Sequence, residues 1–266
     1  MTIDAIDFGR LYRDHLAACA RTPKTAHAWD GRAGRIHRGL KHSDYAEDFV
    51  ARMELGGATT LLDVGCGPGT IGLRLASQLE RVYGLDFSSA MLDQLLANAT
   101  QQGLGNVEAL HLAWEDDWSA VPVCDLVVAS RSTQVADMAA ALGKLHAKAR
   151  RRVYLTHRAG SRSLLPEVLA LLGRRSLPPP DYIYILNILH AMGIQPRLDY
   201  IEGDGRPEVA TDADDFVRSV AWSLGELSAE DHTRLCDWYA RVRPASAFAP
   251  APLRWAFISW EKHAPA

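Results

Sequence analysis

The stretch from Thr59 to Thr70, TTLLDVGCGPGT, constrains this chain more than any other. An apolar run through Leu61, Leu62 and Val64 is cut off by Gly65, Gly67 and Gly69. Such a run reads as a buried strand, and the alternating glycines after it read as a tight loop that opens a helix. Glycine lets backbone pass close to a ligand, and the first turn of the following helix offers unpaired N–H groups to polar ligand atoms. The pattern is either a nucleotide-type pocket or a plain tight connection, and its surroundings decide between them.

Two acids favour the pocket. Asp63 lies two residues before the first glycine, and Asp86 ends the next apolar stretch, RVYGLD, where a carboxylate can accept hydrogen bonds from both hydroxyls of a ribose. One helix's worth of chain runs between them. The nicotinamide fingerprint G-x-G-x-x-G fits poorly, because counting three from Gly67 reaches Thr70.

DVGCGPG from Asp63 to Gly69 and GLDFSSAMLDQL from Gly84 to Leu95 resemble the first two motifs of the class I S-adenosylmethionine-dependent methyltransferases. The resemblance covers about Gly57 to His157. It implies S-adenosyl-L-methionine as cofactor, S-adenosyl-L-homocysteine as product and in-line attack on the methyl carbon. By the same resemblance Asp86 binds the ribose, Gly65, Cys66, Gly67 and Gly69 border the methionine and ribose, and Asp63 meets the amino group directly or through water. Phe87 flanks the adenine, and Met91 and Ser130 join the cofactor site. The third family element departs from pattern: relatives carry an acid and an alanine after strand three, and here HLAWEDDW places Ala113 and Trp114 there. Either Glu115 takes over the adenine contact or backbone alone makes it, so Trp114 and Glu115 are the candidates.

Strand four ends in ASRS, Ala129 to Ser132, without the NPPY motif of enzymes that methylate adenine or glutamine nitrogen. It also lacks the strand-tip carboxylate that holds magnesium in catechol methyltransferases, and the cysteines form no thiol cluster, so no metal is expected. His157, at the end of strand five, is the candidate general base, since histidine titrates near neutral pH. A hydrogen-bonded structural histidine is the alternative. Trp29, Arg32, Arg131 and Tyr182 are the candidate substrate contacts, with Trp29, Asp30 and Arg32 forming either a lid or a solvated linker.

The succession of strands and single-helix crossovers predicts an α/β fold with a doubly wound, mostly parallel seven-stranded sheet. Residues 1–56 are expected to form an N-terminal helical extension or lid, 57–202 the Rossmann-like core, 203–252 a helical insertion or cap, and 253–266 the last strand and tail. The insertion stands out because the last two strands of this fold are normally joined by a short hairpin, whereas about fifty residues separate Ile201 from Arg254. Caps are expected at Ser43 or Asp44, Ser88 and Asp181, with a capping box at Ser228 and Asp231.

Composition narrows the partners. At 266 residues and a net charge of −3, the chain suits one α/β domain with additions and has no broad basic footprint for nucleic acid. The one dense basic cluster is Arg150, Arg151 and Arg152. Four scattered cysteines read as reduced thiols. There is no signal-type N-terminus and no bilayer-length apolar run, so a cytoplasmic protein without a membrane partner is expected. The favoured function is methyl transfer to a small or medium-sized acceptor. The alternatives are a protein or RNA methyltransferase, or a non-catalytic cofactor-binding regulator.

Overall fold

The structure is a computed structural model and describes residues 2–19, 24–30, 43–160, 164–175, 177–202, 210–247 and 254–262. Seven strands form one sheet in the order β3-β2-β1-β4-β5-β7-β6. They are β1 (Thr60–Val64), β2 (Arg81–Asp86), β3 (Val107–His111), β4 (Cys124–Ala129), β5 (Ala149–Ala159), β6 (Arg197–Glu202) and β7 (Arg254–Glu261). The first five run parallel, and β7 is antiparallel to both its neighbours. Strand order reverses at β1, which pairs with β2 on one side and β4 on the other. The glycine loop therefore opens at the switch point, where doubly wound sheets bind ligands.

Alternation along the strands builds a core on each face of the sheet. Leu62, Val64, Val127, Val153, Leu155 and Ile258 pack against α1 (Phe8–Ala18), α6 (Met138–Lys148) and α8 (Tyr182–Ala191). Leu61, Leu126, Val128, Tyr154 and Phe257 pack against α3 (Asp44–Ala51) and the short α4 (Gly72–Leu75). Between these lie α2 (Ala26–Asp30), following α1, and α5 (Ser89–Gln101), following β2.

The expected caps are present. Ser43 accepts from Ala46 N–H, Ser88 from Met91 N–H and Asp181 from Ile183 N–H. The Ser228–Asp231 box opens α10 (Ala229–Val242), and Gly225 ends α9 (Ala213–Leu224). Three helix starts differ from periodicity. Asp7 caps α1, so that helix begins at Phe8 rather than near Asp4. The helix after the glycine loop is a single turn continued by a 3₁₀ turn, Ala76–Gln78. Helix α6 begins only at Met138, because Thr133 Oγ1 and Val135 O are held in the preceding loop by Thr156 O and the Tyr12 hydroxyl.

The two helices of the insertion pack on each other and on a helix that precedes them. Leu164 and Val168, beside and within α7 (Pro166–Leu171), share one apolar cluster with Phe216, Val217, Val220 and Leu235 of α9 and α10. Leu165 N–H also donates to Ala247 O at 2.9 Å. The segment 164–172 thus shares its apolar cluster with α9 and α10. Among the described residues, no helix is long and apolar enough to cross a membrane.

Candidate cofactor and acceptor site

The loop after β1 is fixed from two sides. Gly65 and Cys66 N–H groups both donate to Leu85 O, at 2.7 and 3.1 Å, and Ser132 Oγ donates to Val64 O at 2.7 Å. Gly65, Gly67 and Gly69 have φ of +64°, +52° and +92°. At Gly65 a Cβ would sit 2.3 Å from Ser132 Cβ, so left-handed backbone and close packing both require glycine. Gly65→Ala is expected to destabilise the protein by about 2–5 kcal/mol, combining left-handed strain with overpacking. Urea denaturation checks this; an unchanged midpoint would contradict it.

Two carboxylates face this loop. Asp63 is 2% exposed and accepts only from Gly72 N–H among the described hydrogen bonds, at 2.9 Å. Burial pushes its carboxyl up to about 7, with the Gly72 N–H opposing and the nearby Asp86 adding to the rise. Asp86 is 6% exposed and accepts Gly67 N–H on Oδ2 at 2.9 Å and Ser88 N–H on Oδ1 at 3.0 Å. Burial raises its carboxyl too, against the pull of those N–H groups. Among the described residues neither acid is in an ion pair. Buried carboxylates are ordinarily paired, so this pair suits a ligand that brings a cation to one acid and hydroxyl donors to the other.

Around them, Met91 Sδ lies 3.9 Å from where a Cβ on Gly67 would stand, and half-buried Phe87 follows Asp86 directly. Cys66 turns its thiol into a cluster with Leu92 and Leu95, where it also donates to Gly67 O at 3.4 Å. Burial raises that thiol well above its usual range. Trp114 stacks on Trp118 with ring centroids 5.4 Å apart and donates from Nε1 to Ser132 O at 3.2 Å, which ties the β3 tip to the residue behind Gly65. Glu115 is exposed, and the Ala113 N–H is taken by Asp116 Oδ2 at 2.7 Å.

The tip of β4 carries a hydroxyl cluster. Tyr45, fully buried on α3, shares hydrogen bonds with Ser130 Oγ at 2.9 Å and Thr156 Oγ1 at 2.6 Å. Arg131 follows at φ +58°, an uncommon conformation outside glycine, held by its N–H donating to Thr156 Oγ1 at 3.0 Å. Its guanidinium lies over the Tyr45 ring, 4.4 Å from the centroid. Sequence reasoning missed Tyr45 and Thr156. Tyr45 stands one turn before Phe49, so the inward stripe of α3 already pointed to its burial.

Two candidates are corrected. His157 is 4% exposed, with Nδ1 2.8 Å from Thr133 Oγ1 and Nε2 3.2 Å from Pro180 O. A carbonyl only accepts, so Nε2 carries the proton, and Nδ1 lies against the Thr133 hydroxyl, whose single proton is shared between Nδ1 and Thr156 O. Burial lowers the pKa and keeps the ring neutral. With both nitrogens engaged, His157 fastens the β5 tip to the 177–180 turn and presents no base to an acceptor. Tyr182 bonds to the Tyr200 hydroxyl at 2.7 Å on β6, four places along the sheet from β1, and so ties α8 to the sheet edge away from the loop.

The N-terminal segment reaches the turn after Asp86. Ser88 Oγ, at the turn after Asp86, donates to Asp30 Oδ1 at 2.5 Å. Next to Asp30, Trp29 packs edge-on against Trp222 of α9, with centroids 5.5 Å apart. Helix α2 therefore links the turn after β2 to α9. Arg32 lies outside the described residues.

A methyltransferase domain model matches residues 61–151. An uncharacterized protein of Haemophilus influenzae is 37% identical over 263 residues, covering 98% of both chains. The demethylmenaquinone methyltransferase of Geobacillus kaustophilus is 36% identical over 74 residues, 27% of this chain and 32% of that protein. Among solved structures, YcgJ of Bacillus subtilis aligns with TM-score 0.57 and 15% identity over 83% of this chain and 99% of its own. A chain from the complex of the Haloferax volcanii Trm112 methyltransferase activator with a methyltransferase aligns with TM-score 0.56 and 16% identity over 96% and 99%. Over residues 61–151 the chain is similar to the methyltransferase domain, and along nearly its whole length it belongs with the Haemophilus influenzae protein.

Proposed function

We propose that the protein methylates a small or medium-sized molecule inside a site roofed by α2 and the cap. The observation that carries this is the double attachment of α2, with Asp30 at the cofactor turn and Trp29 on Trp222 of the cap. A roof held at both ends admits a compact acceptor and shuts out a nucleic-acid strand. The basic cluster points the same way. Arg150, Arg151 and Arg152 sit at the start of β5, at the opposite end of the strands from the glycine loop. Arg152 pairs with Glu54 and Glu261, Arg150 with Asp125, and Arg151 donates to Gly56 O.

In this reading Asp63 receives the ammonium of the cofactor's methionine and Asp86 the ribose hydroxyls. The backbone of Gly65, Gly67 and Gly69 allows close approach, and Phe87, Met91 and Trp114 border the adenine. The cofactor supplies an activated methyl on a sulfonium. What remains for the chain is alignment and exclusion of water, worth about 7–11 kcal/mol when the geometry is ideal. Ser130 and Arg131, held from behind by buried Tyr45, stand at the β4 tip to orient the acceptor, and no histidine base is used.

The test uses cofactor labelled on the methyl group and a bacterial extract separated into small-molecule, RNA and protein fractions. Label entering the small-molecule fraction, and lost in an Asp86→Ala variant, is the expected result. Label in RNA or protein would overturn the reading in favour of a macromolecular acceptor.

A further inference from the structure

The cap carries a cluster that methyl transfer does not use. His232 and Cys236 stand one turn apart on α10, with Cys236 Sγ 3.6 Å from His232 Nδ1. Asp214, in the first turn of α9, brings its carboxylate to the same point, and one ligand atom from each of the three residues lies within 4.8 Å of the others. Imidazole, thiolate and carboxylate are the donors zinc takes, at bond lengths of about 2.0–2.3 Å. A tetrahedral ion at those lengths holds its donors about 3.3–3.8 Å apart. Small rotations of these partly or fully exposed side chains would close the difference.

We propose that Asp214, His232 and Cys236 form a site for a borderline-soft divalent cation, with zinc the best fit, that clamps α9 to α10. Three protein ligands leave the fourth position to water. Binding forms a metal–sulfur bond and releases the Cys236 thiol proton to solvent, so no oxidant or reductant is needed. The surrounding charge is favourable. Asp237 adjoins Cys236, and among the neighbouring acids Asp215 is matched by Arg218, Glu230 by Arg234 and Asp231 by Arg174, while Asp212 caps α9.

The clamp bears on the roof of the active site. Trp222, which packs on Trp29, lies eight residues beyond Asp214 on the same helix, about 12 Å along its axis. Spacing alone did not show the site, because the carboxylate comes from a different helix than the His and Cys.

The full-length protein, stripped with a chelator, is titrated calorimetrically with zinc and spectroscopically with cobalt. The expected result is one equivalent per chain and a sulfur-to-cobalt charge-transfer band. Cys19, Cys66 and Cys124 are buried, so such a band reports Cys236. Cys236→Ser and His232→Ala are each expected to lose at least tenfold in zinc affinity while keeping the circular dichroism and the S-adenosylhomocysteine binding of the parent. No saturable binding by the parent, no sulfur–cobalt band, or equal affinity in both variants would overturn the proposal. None of these outcomes bears on methyl transfer.

Discussion

Replacing Asp86 with alanine is expected to weaken S-adenosylhomocysteine binding about 10- to 150-fold, the equivalent of about 1.5–3 kcal/mol for hydrogen bonds to a charged group. Each Asp86 oxygen already takes one backbone N–H, Gly67 on Oδ2 and Ser88 on Oδ1, so the side chain both holds the loop and keeps lone pairs for a ligand. Asparagine is no gentle substitute. Its amide NH₂ would have to face one of those N–H donors, so Asp86→Asn is expected to lose affinity as well. The fold should survive in both variants, since a buried carboxylate without a cation is removed. Calorimetric titration at pH 8 measures the effect, and a loss below threefold in Asp86→Ala would remove Asp86 from the site.

The second large effect concerns Asp63 and has opposite signs for stability and binding. Its folded pKa, about 7, lies above the ordinary carboxyl value of 3.8. Stability contributed by the protonated form is therefore complete below about pH 3.8 and is lost as pH rises through about 7. The full penalty above that is on the order of 4 kcal/mol, from about 1.4 kcal/mol per pH unit. Asp63→Asn escapes it and keeps an oxygen for Gly72 N–H, but buries an amide donor at a cost of about 1–3 kcal/mol. The cofactor-free variant is expected to gain about 1–3 kcal/mol at pH 8, raising Tm by about 2–10 °C, and to gain nothing at pH 4. Its cofactor affinity should fall at least tenfold, because the neutral amide offers no charge to an ammonium. Thermal melts at both pH values check this; a variant less stable than the parent at pH 8 would contradict it.

Much of the cofactor half of the site was legible in the sequence because its parts are local. Asp63, the three glycines, Asp86 and the Ser88 cap lie within about 26 residues, and each has a signature that one strand, one loop and one helix start explain. The acceptor half is assembled by topology. Tyr45 meets Ser130 and Thr156 across separations of 85 and 111 residues, contacts that no periodicity encodes. Trp29 likewise reaches Trp222 across a separation that no local pattern encodes. His157 was misread for a related reason. Its place at a strand tip was correct, but the chain returns at Pro180 to cover it, and a return loop leaves no trace in local sequence. The seventh strand and the inserted helices followed from their apolar spacing, whereas the joining of α7 to the cap depended on packing at Val168 and Leu235.

The central claim is that two unpaired acids are reserved for the cofactor, with Asp63 receiving its positive charge. Calorimetric titration with S-adenosylhomocysteine at pH 6.5, repeated in buffers of different ionisation enthalpy, tests it directly. The account predicts saturable one-to-one binding with release of a substantial fraction of a proton per chain, abolished in Asp63→Asn, because the ligand's ammonium drives an acid of pKa about 7 to ionise. Absence of saturable binding by the folded protein, or binding with no proton released, would contradict it.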